Sequence, residues 1–207
     1  IEKNKIFVVP GGANIDINSV NSFDLLKIPP EISKKNPIKL GFIGKDWKRK
    51  GGDFLLKLAD IFISKSIPFE LRVIGPRKND LPVHQSLRYL GFLDKNLKLN
   101  NFVDELRTWH FGTLFSEAEA FGISNRECML LGVPIICHDI GGISSTLPKS
   151  DYGMIFKPNP APLVVYKWGM DILCPYENYI ELRKKLFRQR KEFSWENSIA
   201  SLKGILD

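Results

Sequence analysis

The chain has 207 residues, 43% of them hydrophobic and 26% charged, which suits one large globular domain or two small ones. No apolar run approaches the roughly 20 residues that span a bilayer, and we expect no signal peptide. Because the first residue is Ile1 rather than Met, we expect the sequence to be part of a longer chain. The net charge of +7 fits a phosphate-bearing ligand, an anionic membrane or nucleic acid, but no nucleic-acid-binding motif accompanies it, so no such partner is expected.

Apolar runs rich in β-forming residues alternate with helical patterns along the chain. Strands are predicted, in chain order, at residues 5–9, 38–44, 69–74, 87–92, 111–115, 133–137 and 153–156. A loop or linker is predicted at 13–36, and helices at 53–65, 97–108, 123–131, 160–172, 177–191 and 195–206. This alternation predicts an α/β fold with a Rossmann-like, doubly wound parallel sheet and helices on both faces. Ligands of such sheets bind beyond the carboxyl ends of the strands, so the loops there are the candidate sites.

The most informative of these loops lies in residues 115–127, with the sequence FSEAEAFGISNRE. A strand ends, an acidic loop follows, and a helix opens. The free N–H groups at the start of that helix, around Ile123 and Ser124, suit a diphosphate, and Gly122 lets the backbone approach a ligand closely. Glu119 precedes the helix and would lie beside a sugar attached to that diphosphate. Without further evidence, a glutamate at this position is more often a solvated loop acid.

Glu127 has two interpretations that the sequence leaves open. It lies one turn inside the helix and could accept hydrogen bonds from ribose hydroxyls. The spacing Ser124-Asn125-Arg126-Glu127 is also that of a capping box, in which the serine caps the helix and the glutamate returns the bond.

A second candidate loop, which is basic, lies in residues 42–52, FIGKDWKRKGG, between a strand and a helix. Lys45 and Lys50 are five residues apart and could clamp a diphosphate as charge develops on it. The alternative is a solvated turn rich in lysine and arginine. A third loop, Asp139–Ile143, contains Gly141-Gly142 and is either a plain turn or a ligand contact.

Other features of the sequence bear on partners and compartment. The three cysteines are scattered, which predicts neither a disulfide framework nor a zinc site and fits a reducing cytosol. The basic run Arg183–Lys191 is either a solvated helix face or a surface for peripheral membrane contact. We expect a cytoplasmic protein, with peripheral association at the inner face of the membrane left open.

Residues 115–135 resemble the signature of glycosyltransferase family 4, the group 1 glycosyltransferases of the GT-B fold. That family has two glutamates with seven residues between them, matched by Glu119 and Glu127, and a serine matched by Ser116. Its Glu-Gly-Phe-Gly stretch is matched except that Ala120 replaces the first glycine. The following Glu-Ala-Met-Ala-x-Gly-x-Pro-Val is matched by residues 127–135, ECMLLGVPI.

The resemblance implies the C-terminal, donor-binding domain of a retaining glycosyltransferase that needs neither metal nor cofactor. Its donor would be a UDP-, GDP- or ADP-sugar, and an N-terminal domain would complete the cleft. It implies catalytic roles for Glu119, Lys50 and Lys45. Donor-binding roles are implied for Gly44, Lys45, Lys50, Phe92, Leu93, Glu119, Phe121, Gly122, Ile123, Ser124 and Glu127.

By the same resemblance, residues 1–36 would be an interdomain segment, 37–192 the nucleotide-sugar-binding domain and 193–207 a closing helix. Two alternatives stay open. One is another GT-B enzyme, such as a sugar-nucleotide epimerase, and the other is a non-catalytic nucleotide-binding module.

Overall fold

A computed structural model describes residues 6–9, 11–20, 26–147 and 152–206 of the chain. Six strands form one sheet in which every neighbouring pair is parallel. In chain order they are β1 (Ile38–Ile43), β2 (Phe69–Ile74), β3 (Leu87–Tyr89), β4 (Phe111–Leu114), β5 (Ile135–His138) and β6 (Gly153–Phe156). Their spatial order is β3-β2-β1-β4-β5-β6, which confirms the predicted Rossmann-like, doubly wound sheet.

Six α-helices accompany the sheet in the described part of the chain. They are α1 (Gly52–Ser64), α2 (Lys95–Leu106), α3 (Ile123–Leu130), α4 (Pro162–Leu173), α5 (Tyr176–Arg188) and α6 (Trp195–Leu206). All six match predicted helices to within a few residues. None of them combines the length and the apolarity of a bilayer-spanning segment.

One predicted strand, at 5–9, is wrong for residues 6–9, which have no regular secondary structure, while residue 5 lies outside the described residues. The apolar run IFVV resembles a strand, but its side chains are exposed at Ile6, Phe7 and Val8. Without a sheet to join, an apolar run has no partner for its backbone N–H and C=O groups. The predicted loop at 13–36 is confirmed for the described residues, apart from a short 3₁₀ turn at Ile17–Ser19.

Two buried clusters, one on each face of the sheet, hold the helices in place. Successive residues of a strand point to opposite faces, so Ile135 of β5 joins one cluster and Ile136 joins the other. The first cluster contains residues of α2 and α3, and the second contains residues of α1 and α4. Helices on both faces are therefore confirmed.

The end of α3 shows how a local sequence signal fixes the path of the chain. Gly132 follows the helix with φ +70°, directly after residue 131, where the sequence predicted the helix to end. Its N–H donates to Met129 O at 2.9 Å, and the Val133 N–H donates to Cys128 O at 2.9 Å. This Schellman arrangement stops the helix and turns the chain directly into β5.

Candidate functional site

The candidate site lies where the strand order of the sheet reverses. β1 and β4 are neighbours at the centre of the sheet, with Leu40 opposite Phe111. From β1 the chain proceeds to one side of the sheet, and from β4 to the other. The loops that leave their carboxyl ends therefore diverge and open a crevice, the usual ligand position in such folds. We call these loops the lysine loop (residues 44–51) and the signature loop (residues 115–122).

Close packing fixes the lysine loop. Trp47 is buried, and its Nε1–H donates to Asp53 Oδ1 at 2.8 Å. A Cβ on Gly52 would lie 2.2 Å from the Trp47 ring, and one on Gly51 would lie 2.2 Å from Phe115 O. Gly51 also has φ +80°, which L side chains rarely adopt. The glycine pair therefore lets the lysine loop press against the end of β4 and directs Lys50 toward the crevice.

Lys50 and Glu119 form an ion pair across the crevice, with 2.5 Å between Nζ and Oε2. The Ser116 hydroxyl donates to the same carboxylate oxygen at 3.3 Å. Burial alone would raise the pKa of Glu119, but the hydrogen bond and charge of Lys50, helped by the Gly122 N–H and Ser116, hold it below its ordinary value. Glu119 is therefore an ionised acceptor rather than a solvated loop acid.

Two further hydrogen bonds join the two loops. The Glu117 N–H donates to Arg49 O at 2.8 Å, and Arg49 Nη1 donates back to Ala118 O at 2.8 Å. His138, at the end of β5, is buried, with 2.7 Å between its Nε2 and Ser116 O. The Asn159 N–H lies 3.4 Å from His138 Nδ1 and donates to it, so Nε2 carries the ring proton. These contacts fix the backbone of the signature loop from Ser116 to Ala118 and thereby position Glu119.

Helix α3 begins at the signature loop with a glycine cap. Gly122 is the N-cap, with φ +83° and ψ +51°, and no side chain caps the helix. The first N–H groups of an α-helix have no carbonyl acceptor one turn earlier, so they face outward as donors. The capping-box interpretation is wrong, because Ser124 is the second helical residue and its buried Oγ has no hydrogen-bond partner.

Glu127 instead forms an ion pair with Lys95 Nζ. The Glu127 side chain is 2% exposed, and its carboxylate also accepts the Asn14 N–H. Burial raises the pKa of Glu127 above its ordinary value, and Lys95 and Asn14 offset this only in part. Sequence reasoning missed Lys95, whose only signal was its position in a strand-end loop at the start of α2.

A cavity of about 450 Å³ lies beside the lysine loop, at the carboxyl ends of β1, β2 and β3. The Lys45 ammonium lies 5.5 Å from the Phe92 ring centroid, and the Phe92 side chain is 58% exposed. Lys45 thus faces this cavity, while Lys50 is paired with Glu119. Leu93 packs partly buried against the core. The lining residues are Lys45, Gly75, Pro76, Arg77, Asp80, Tyr89 and Phe92.

The Gly141-Gly142 loop contacts the signature loop through its backbone and is more than a plain turn. A Cβ on Gly141 would lie 1.9 Å from Glu119 O, and one on Gly142 would lie 2.1 Å from Ala120 O. This close approach keeps the loop after β5 directly behind Glu119.

Arg126, a buried residue of α3, was also missed. It donates to Ser145 O at 3.1 Å and to Glu192 O at 3.2 Å, and so joins the loop after β5 to the turn before α6. Burial lowers the pKa of Arg126 to about 10, with the charge of Glu192 acting in the opposite direction. The Phe121 ring lies 5.8 Å from the Arg126 guanidinium and packs near Gly11. The Phe121 side chain therefore supports the loop from within.

The remaining sequence features are structural in the described residues. Cys128 and Cys137 are buried thiols, and no group of three or more His, Cys, Asp or Glu that could hold a metal is found there. The basic run has two interpretations as a surface, and both are wrong for Arg183, a fully buried residue of α5.

Comparison with known proteins agrees with this fold. The family described as glycosyl transferases group 1 matches residues 37–165. The chain belongs to this family. It is also 28% identical over 171 residues to an uncharacterized 41.2 kDa protein in the cps region of Klebsiella pneumoniae, covering 80% of this chain. The chain spans 45% of that relative's length.

Solved structures with low sequence identity to the chain share its fold. A glycosyltransferase from Rickettsia africae is 19% identical with a TM-score of 0.69, covering 99% of this chain and 57% of its own. HepE of Anabaena, solved with UDP and glucose, is 13% identical with a TM-score of 0.66, covering 84% and 49%. The C-terminal domain of a group 1 family protein from Francisella tularensis is 18% identical with a TM-score of 0.59, covering 75% and 86%. The family match and this fold identify a glycosyltransferase-type domain of the GT-B class.

Proposed function

We propose that the chain is the C-terminal, donor-binding half of a retaining, metal-independent family 4 glycosyltransferase. It would transfer a sugar from a nucleoside-diphosphate donor to an acceptor, with residues 1–36 leading in from an N-terminal domain, 37–192 binding the donor and 193–207 closing the unit. The observation that carries this proposal is the Lys50–Glu119 pair beside the N-terminus of α3, at the reversal point of the sheet.

The diphosphate is the leaving group, so its growing negative charge must be stabilised. The first N–H groups of α3, at Ile123 and Ser124, are preorganised donors with the positive end of the helix dipole behind them. The Gly122 cap carries no Cβ that would keep a phosphate away. Lys50 lies next to this helix start and supplies a full positive charge in a partly desolvated crevice, where electrostatic stabilisation is largest. In this proposal, Lys45 leaves the Phe92 ring and adds a second charge.

Glu119 would accept hydrogen bonds from the hydroxyl groups of the transferred sugar. Its lowered pKa keeps it ionised, and Lys50 joins it to the diphosphate side of the crevice. A glycosidase-like double displacement needs a second carboxylic acid at a defined distance, and the neighbouring Glu117 is exposed. We therefore assign Glu119 to sugar binding and charge stabilisation, not to nucleophilic attack.

The nucleoside would extend from the diphosphate toward Glu127 and the cavity at Phe92. An exposed aromatic ring beside a cavity suits a base, which would stack on it and exchange places with the Lys45 ammonium. Gly44 and Leu93 would offer backbone contacts there. Glu127 would accept the ribose hydroxyls once Lys95 turns toward solvent. UDP is our first choice among UDP, GDP and ADP because the HepE structures contain UDP and UDP-glucose.

Calorimetric titration of the chain with UDP, GDP and ADP tests donor binding. We expect Lys50→Ala to weaken binding by about tenfold, the effect of losing one charge-assisted contact, and at least as much as Glu119→Ala. The matched control is Lys48→Ala, which removes an exposed charge from the same loop. Equal affinities of the Lys50→Ala and Lys48→Ala variants would contradict the proposed site.

Transfer itself is tested with the complete protein that contains this chain. We expect it to make an α-linked product from an α-linked donor in the presence of EDTA, with the anomer read by NMR. The isolated chain is expected to bind the nucleotide without transferring sugar, because half of the cleft is absent. An inverted product would remove the retaining assignment, and loss of turnover in EDTA would remove metal independence.

A further inference from the structure

A second, smaller cavity lies at the opposite edge of the sheet from the candidate site. Its volume is about 180 Å³, and it opens where β1 and β4 begin. Because a water molecule takes up about 30 Å³ in the liquid, the cavity has room for a small ion and a few waters. Its lining includes three lysines and one histidine, namely Lys27, Lys35, Lys39 and His110.

His110 presents an unused donor here. It is 1% exposed, and its Nδ1 accepts the Lys39 N–H at 3.0 Å. Burial, with the charges of Arg183 and Lys39, lowers the pKa of His110 to about 3, against the opposing effect of the Pro30 carbonyl. The ring is therefore neutral with its proton on Nε2. This buried Nε2 has no hydrogen bond of acceptable geometry, even to Pro30.

The charge around this cavity is positive and uncompensated. Arg183 is fully buried behind it and donates to the carbonyls of Trp109, Lys27 and Arg107. No carboxylate in the described part of the chain makes an ion pair with Arg183 or with the three lining lysines. Arg183 is the buried charge among these groups, whereas Lys27 and Lys35 are exposed. A buried charge is costly unless it is paired, so an anion close to Arg183 and the lysines would lower the electrostatic free energy.

Two carboxylates near the cavity, those of Glu105 and Glu31, do not neutralise its positive charge. Glu105 feels the charge of Lys39, but its oxygens accept hydrogen bonds from Arg72 and Trp109. Glu31 is exposed and acts on Tyr176. The cationic groups around the cavity therefore outnumber the carboxylates.

We propose that this cavity binds a tetrahedral oxyanion, with inorganic phosphate as the probe, at a site separate from the donor site. The His110 Nε2–H would donate to it from below, and the Lys27, Lys35 and Lys39 ammonium groups would surround its exposed side. A doubly charged anion matches several cations that approach from different directions better than a monocarboxylate does.

The experiment is a titration of the chain with inorganic phosphate at constant ionic strength. The thermal unfolding midpoint of the chain is measured at each phosphate concentration. All arms carry Lys50→Ala, which suppresses phosphate binding at the donor site. The test variant adds Lys27→Ala and Lys35→Ala. The matched control adds Lys34→Ala and Lys65→Ala, two exposed lysines that do not line the cavity.

We expect a saturable rise of the midpoint in the Lys50→Ala protein and in the control. In the test variant, binding should be about tenfold weaker. The His110 Nε2–H resonance should move on phosphate addition, and acetate at the same ionic strength should give no saturable rise. Equal phosphate affinity in the test variant and the control, or no saturable rise in any arm, would overturn the proposal. Saturable acetate binding with the same lysine dependence would overturn the assignment to a tetrahedral oxyanion.

Discussion

The signature loop and the interior of α3 each contain a glutamate paired with a lysine, yet the two pairs behave oppositely. Glu119, in the loop, is 12% exposed, and it accepts hydrogen bonds from the Gly122 N–H and the Ser116 hydroxyl in addition to Lys50. Glu127, in the helix, is 2% exposed, and within the described part of the chain its donors are Lys95 and the Asn14 N–H. The pKa of Glu119 is accordingly held below its ordinary value, whereas burial raises the pKa of Glu127.

Burial and the number of hydrogen-bond donors explain why these two similar ion pairs differ. Each hydrogen bond to a carboxylate favours its charged form, while burial opposes it. The loop pair is rich in donors and open to the crevice, so it is ready for a ligand. The helix pair is closed, and a ligand would reach Glu127 only by replacing Lys95. Four substitutions test this difference between the two pairs.

The largest effect is expected from Gly141→Ala, which should displace the signature loop alone. Its φ of +59° and the 1.9 Å approach of a new Cβ to Glu119 O leave no room for a side chain. We expect a loss of about 3 kcal/mol of unfolding free energy, measured by urea denaturation, together with weaker nucleotide binding. Gly204→Ala in α6 is the control, because a Cβ there meets nothing within 4 Å; it should stabilise by up to about 1 kcal/mol. Equal stability of the two variants would show that the signature loop accommodates the new Cβ without loss of stability.

Lys95→Ala should affect the helix pair next most strongly. It leaves the buried Glu127 carboxylate without its ion-pair partner, at a cost of about 2 kcal/mol at pH 8. Protonation of Glu127 removes that cost, so the loss should shrink as the pH is lowered toward 5. Chemical denaturation at several pH values measures this. A loss that does not vary with pH would mean that Lys95 acts by packing alone.

Glu119→Gln should destabilise the chain by about 1 kcal/mol at pH 7, since it replaces a charged acceptor by a neutral one. Because the pKa of Glu119 is lowered in the folded state, its stabilisation is present above its ordinary value of 4.5 and is lost as the pH falls through the folded pKa. The difference between parent and variant should therefore narrow below pH 4.5. A gap that widens on acidification would reverse the assigned direction.

Glu127→Gln should have the smallest effect and the opposite trend. The amide oxygen can still accept the Asn14 N–H, and no charge is buried. Since the pKa of Glu127 is raised, the parent loses stability relative to the variant as the pH rises from 4.5 through the folded pKa. Thermal unfolding from pH 5 to 8 should find the variant equal to the parent or slightly more stable at pH 8. A clear loss at pH 8 would place Glu127 in the same class as Glu119.

Most of the strands and helices, and the loops that follow the strands, could be predicted from the sequence alone. Apolar runs of strand length, separated by helical patterns, predicted the parallel α/β sheet because each element must bury one face. The Gly132 helix end could be predicted because its signal is local. The resemblance brought Lys50 and Glu119 into one hypothesis, and the structure joins them in one ion pair although 69 positions separate them.

Contacts between side chains that are far apart in the sequence could be identified only from the tertiary structure. Local spacing made Ser124 and Glu127 look like a capping box, but Gly122 caps the helix, and Glu127 bonds to a lysine 32 positions away. Arg183 reads as part of a basic surface run, yet the fold buries it against backbone carbonyls. The partner of a charged side chain depends on burial and on the pairing of distant strands, and neither is encoded in the residues next to it.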